Sequence, residues 1–131
     1  MLENAIVREL IALAEKEDWD SIDQKIPVVC NDDEVRNWAY FQGIFSKTDN
    51  VRDLGASILE KAEWPKQYYD TIKHYLIGTL STEKHKFAKF RMACALAAHD
   101  EWTDQVLEVL KTAPDDVKEI AGKYLKKRDI Q

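Results

Sequence analysis

Three histidines, two cysteines and 24 acidic side chains are the groups in this 131-residue chain that could do chemistry. His74 follows Asp70 by one helical turn, a spacing that puts two ligand types on one face. No third or fourth ligand stands at helical spacing, and Cys30 and Cys94 are too far apart in sequence to suggest a zinc pair, so no metal site is expected. The four glycines are scattered, which excludes a phosphate loop or a dinucleotide fingerprint, and no nucleophile motif occurs. No catalytic residue and no cofactor are expected, and both thiols read as small buried hydrophobes.

Two other groups stand out. Lys84, His85, Lys86, Lys89 and Arg91 crowd the expected start of one helix. Cations there oppose the helix dipole, a cost that a docked acidic or phosphate group would offset. A helical wheel puts Lys86 with Lys89 on one face and Lys84 with Arg91 on another, which suits an ordinary solvated surface. From Asp32 to Ser46, Val35, Trp38, Ala39, Phe41 and Phe45 cover more than half of a helical circumference, and Tyr40 and Ile44 extend it. A helix apolar nearly all round is either central or open to a partner.

The elements that must position these groups are helical. Apolar residues recur at helical spacing almost throughout, with no strand-like alternation, and only four glycines and three prolines interrupt the chain. Leu2, Ile6, Leu10 and Leu13 mark a first helix over about 3–17. Residues 22–26 read as a short turn before a connector at Pro27. Helices are expected over 32–46 and 50–62, from Pro65 through Leu80, from a cap at Ser81 or Thr82, from Thr103, and from Pro114. Gly43, Gly55, Gly78 and Gly122 fall inside them, which suggests close helix approach, or fraying ends at Gly43 and Gly78.

Two patterns repeat. Asp33-Glu34-Val35-Arg36, Asp49-Asn50-Val51-Arg52 and Asp115-Asp116-Val117-Lys118 share Asp-x-Val-Arg/Lys, in which the Asp begins a helix, the Val faces the core, and the cation pairs with that Asp or reaches the Asp of the neighbouring repeat to form a ladder. Trp19, Trp64 and Trp102 each follow an acid at a helix entry.

The runs Val51–Leu59, Phe90–Ala98 and Val117–Leu125 resemble the second helix of a HEAT-like repeat, in the style of the phycobilisome-lyase type. The resemblance covers about residues 31–128 and implies a single domain, 1–131, folded as an all-α, right-handed α-α superhelix (a HEAT/armadillo-like solenoid) of six to eight helices. It implies nothing about activity, because such repeats serve many functions. Val35 and Val51, 16 residues apart, must then sit on successive helices of one unit.

A non-enzymatic scaffold holding a protein or peptide partner is the function expected, with Arg36, Trp38, Tyr40, Arg52, Lys89 and Arg91 as candidate contacts. The alternative is a DNA-binding protein akin to alkylpurine glycosylases, which use similar repeats; a Lys/Arg stripe on the concave face would favour it, and a mixed or acidic face with aromatics would favour a protein partner. A net charge of −5 argues against nucleic acid. The start, Met1-Leu2-Glu3-Asn4, lacks the basic and apolar regions of a secretory leader, and no apolar run approaches a membrane span, so a reduced cytoplasmic setting is expected.

Overall fold

The computed structural model describes residues 4–130; Leu2 of the first expected stripe lies outside them. Eight α-helices and no strand occur among the described residues. They are α1 (Ala5–Glu15), α2 (Trp19–Val29), α3 (Asp33–Phe41), α4 (Asp49–Lys61), α5 (Tyr69–Thr82), α6 (Lys86–Ala98), α7 (Asp104–Lys111) and α8 (Lys118–Ile130). None is long and apolar enough to cross a membrane.

α4 and α6 pack against each other at the centre, with α1, α2 and α3 on α4, and α5, α7 and α8 on α6. The central position explains α6: Met92, Ala93, Cys94, Ala95, Leu96 and Ala97 are all buried, and their small residues let neighbours approach from every side. The three runs singled out by their repeat-like pattern lie on α4, on α6, and across the start of α8.

Asp33 and Asp49 open α3 and α4, and Asp115 opens a 3-10 turn (Asp115–Val117) that leads into α8. Val35 and Val51 fall on successive helices, α3 and α4, and both are buried. Asn4, Asp18, Asp32, His85 and Thr103 accept backbone N–H groups at helix starts. Two helices stop with a carboxylate-bearing residue in the left-handed region, Glu17 (φ 60°) after α1 and Asp100 (φ 61°) after α6. In each, the next N–H reaches back to the carbonyl five residues earlier, Leu13 or Leu96. Trp19 and Trp102 follow directly on these stops, so that acid-Trp pattern marks a chain reversal.

Several boundaries differ from those expected. α2 runs on through Pro27, because buried Ile22 and Ile26 hold it, and the carbonyl that loses its donor belongs to exposed Asp23. The 32–46 segment is two pieces, α3 and a 3-10 turn (Gly43–Phe45), broken at Gln42. Pro65 begins a turn closed by the Tyr68 N–H on its carbonyl, and α5 starts only at Tyr69. α5 extends through Ser81 and Thr82, leaving His85 to cap α6.

Gly43 and Gly55 explain the break at Gln42. A Cβ on Gly55 would lie 2.9 Å from the Gly43 carbonyl carbon and the Ile44 nitrogen, so the 3-10 turn rests directly on the α4 backbone. Gly78 and Gly122 have nothing within 4 Å of such a Cβ, and close approach does not account for them.

The helical spacing of apolar residues predicts a core of Val51, Leu54, Ile58, Ile72, Leu76, Phe90, Cys94, Leu110, Ile120 and Leu125. The first eight are buried, and Ile120 and Leu125 are only half-buried. They sit on α8, which packs on α6 and α7.

Candidate functional site

α2, α4 and α6 enclose a cleft of about 380 Å³. Helical spacing brings its lining together: Trp19 and Asp23 from α2, Asn50, Asp53 and Ser57 from α4, and Phe87, Phe90 and Arg91 from α6. Glu17, His85 and Val117 complete the rim.

A chain of polar contacts runs from the cleft into the core. The Ser57 hydroxyl donates to Asp53 Oδ1 at 3.2 Å. Arg91 Nε stands 3.9 Å from the same oxygen, beyond hydrogen-bond reach. Arg91 Nη1 donates to Glu60 Oε1 at 3.0 Å, and the Tyr124 hydroxyl donates to Glu60 Oε2 in a short bond. The Glu60 side chain is 3% exposed, so without Arg91 and Tyr124 its charge would be buried and uncompensated.

Asp53 is the group least well served. Burial pushes its carboxyl up to about 6, with Arg91 and Ser57 pulling the other way. Burial, reinforced by Glu60, also pushes up the Tyr124 hydroxyl and the Cys94 thiol. Cys94 is thus an inert core thiol, and Cys30 is buried likewise.

At the edge of the cleft His85 Nδ1 accepts the Ala88 N–H at 3.4 Å while Nε2 faces Asp49 Oδ2 at 3.4 Å. That pattern fits the neutral tautomer with its proton on Nε2. Ser57 donates to the Asp53 carboxylate and His85 Nε2 faces Asp49, so the two do not form a nucleophile–base couple.

The six candidate contact residues are placed apart. Trp38 and Tyr40 are buried in the core. Arg36 is buried beside its own repeat phrase, with Nη2 donating to Asp33 at 2.6 Å and Nη1 to the Asn31 carbonyl at 3.4 Å. Arg52 instead grips Glu83, 31 residues on, through Nε at 2.6 Å and Nη2 at 2.9 Å. Burial would raise the Glu83 carboxyl, but Arg52 and the His85 backbone amide outweigh it and hold it below its usual range. The local pairing foreseen for the repeat cation occurs at Arg36 and Lys118; Arg52 does cross to another helical segment, but it meets Glu83 and not the Asp of a neighbouring copy. Arg91 alone of the six lines the cleft.

Lys89 lines a second, larger opening of about 910 Å³ with Lys84, Lys86, Lys111 and Lys118. The helical wheel sets Lys84 beside Arg91, but α6 begins only at Lys86, so Lys84 belongs to the linker and turns the other way. Of the two readings of the 32–46 segment, central or open to a partner, Tyr40 and Ile44 take the first: both are buried, while Phe41 and Phe45 are exposed (55% and 52%) with their rings against Tyr75. His74 bonds the Asp70 backbone carbonyl at 2.7 Å, and no group of three or more metal-ligating residues occurs among those described.

Asp53, Ser57, Glu60, Phe87 and Tyr124 are not singled out by sequence. The available signal is Glu60 and Ser57 at the end of an apolar run, polar residues that must find partners if α4 is central. Comparisons of the chain with protein-family models, with curated proteins and with solved structures give no match.

Proposed function

We propose that this chain is a non-enzymatic binding scaffold of the HEAT-like class, its helix pairs stacked as a superhelix, which holds a protein or peptide segment in the α2–α4–α6 cleft. Stacking with a period near 30 residues is supported by a recurrent offset in the side-chain bonds: Asn31 with Glu63, Arg52 with Glu83, Glu60 with Arg91, and Tyr69 with Glu101, at 31 or 32 residues each. A local period of this kind means that each unit leans on the next.

The observation that carries the functional reading is the cleft itself. Three helices wall it, the rings of Trp19 and Phe87 line it, and Asp53 and Arg91 are held in place by bonds running back to Ser57, Glu60 and Tyr124. Preformed, partly apolar concavities with a few ordered polar groups are the usual form of a binding site. Its carboxylates and rings match a protein ligand, and Glu17, Asp23 and Asp53 would repel the phosphates of the glycosylase-like alternative.

Quantitative affinity capture tests this. Phe87→Ser should lose the partner while keeping most of the stability, Trp19→Ser should lose the partner at some cost in stability because its ring also packs on the core, and Arg36→Ala should lower the melting temperature and keep the partner. Retained capture by both cleft variants, or turnover of a defined substrate by the purified chain, would overturn it.

A further inference from the structure

Charge in the α2–α4–α6 cleft is unbalanced. Glu17, Asp23 and Asp53 contribute three carboxylates, and Arg91 is the single permanent cation among the lining residues. Arg91 gives its closest hydrogen bond to Glu60, behind the cleft, and stays 3.9 Å from Asp53. The Asp53 side chain is 14% exposed, so it has lost most of its water, and its cation, Arg91, pairs with it only at 3.9 Å while bonding Glu60 at 3.0 Å. Ser57 holds one of its oxygens, Oδ1, and no bond to the other is drawn from the described side chains. The rise of the Asp53 carboxyl toward neutrality has the same cause.

An incoming positive charge relieves this arrangement, and the walls select its form. A bare divalent ion needs several converging oxygen or nitrogen ligands, and the carboxylates are not grouped that way. A cation carried on an apolar stem satisfies both halves of the lining, the stem against Trp19 and Phe87, the charge toward Asp53. Glu17 is fixed at the rim by its left-handed backbone at the α1 stop, and Asp23 stands one turn beyond Trp19 on α2.

We infer that the cleft is a receptor for a basic side chain of the partner segment, the ammonium of a lysine or the guanidinium of an arginine, with its charge against Asp53 and its methylenes on the rings of Trp19 and Phe87. The inference rests on the scaffold reading above and names the partner chemistry at that site.

The test is titration of the isotope-labelled chain with four capped tripeptides, glycine on either side of lysine, arginine, norleucine or glutamate, following the Trp19 indole resonance. Lysine and arginine peptides should shift it, and norleucine, which keeps the stem and lacks the charge, should bind at least about tenfold more weakly. Asp53→Asn should weaken the lysine peptide by about tenfold, and Asp23→Asn, at an exposed rim position, by about threefold with an unchanged melting temperature. If Asp53→Asn fails to fold, Asp23→Asn decides. Equal binding of norleucine and lysine, or preferred binding of glutamate, overturns the inference and leaves the scaffold intact. If no peptide shifts any resonance of the cleft, the inference fails and the placing of a partner there fails with it.

Discussion

Gly55→Ala should destabilise the chain although it places a better helix former in mid-helix. The new Cβ would meet backbone atoms, the Gly43 carbonyl carbon and the Ile44 nitrogen, both at 2.9 Å. Ordinary carbon contacts lie at about 3.5–4 Å, so the Gly43–Phe45 turn must withdraw by about 0.5–1 Å. Withdrawal loosens fully buried Ile44 and the Trp38 ring, which itself stands 3.0 Å from where a Gly43 Cβ would be. Overpacking of this kind costs about 1–3 kcal/mol, and the helix-propensity gain returns about 0.5–1 kcal/mol. The net loss is about 1–2 kcal/mol, or about 3–10 °C in a chain of this size. Gly78→Ala and Gly122→Ala are the controls: both sites are exposed and open, so each should gain about 0.5–1 kcal/mol. Urea and thermal melts by circular dichroism measure all three. A Gly55→Ala variant as stable as wild type, or control variants that lose stability, would refute the close-approach argument.

Asp53 makes a pH-dependent contribution whose sign can be worked out. Its folded pKa of about 6 lies above the unfolded value of 3.8, so the folded chain binds the proton more tightly and stability falls as pH rises through about 4 to 6. Asp53→Asn lacks that loss, so its stability relative to wild type should improve by about 2–3 kcal/mol between pH 4 and pH 7; a flat difference would contradict the assignment. Arg91→Ala should cost about 3–5 kcal/mol in urea melts, because it strands the buried Glu60 carboxylate. Arg52→Ala removes two bonds from Glu83, whose side chain is 3% exposed, and should cost about 2–3 kcal/mol while leaving partner capture unchanged.

Local features of the fold were legible because local physics decides them. Asp33, Asp49 and Asp115 begin helical segments, Thr103 caps α7, and the apolar spacing identifies most of the core. The features that sequence left open depended on which helices stack. Arg36 and Arg52 sit in the same phrase, yet one bonds its own Asp and the other a glutamate 31 residues away, and only the placing of the end of α5 beside α4 separates the two. Whether Tyr40 and Ile44 are central or face a partner is open in the sequence for a related reason. A single helical wheel over 32–46 puts Tyr40 and Ile44 outward, but the chain breaks at Gln42 and the 3-10 turn resets the direction of its side chains, burying Ile44 and exposing Phe45. The cleft was hidden likewise, since Trp19, Asp53 and Arg91 meet only once three helices are assembled.

The most direct test of the central claim is a chemical-shift map of the isotope-labelled chain titrated with a mixed hexapeptide library. Shifts should concentrate on Trp19, Asn50, Asp53, Ser57, His85 and Phe87, the residues of the α2–α4–α6 cleft. Shifts confined to the exposed rings of Phe41, Phe45 and Tyr68, or to the lysines around Lys89, would contradict it.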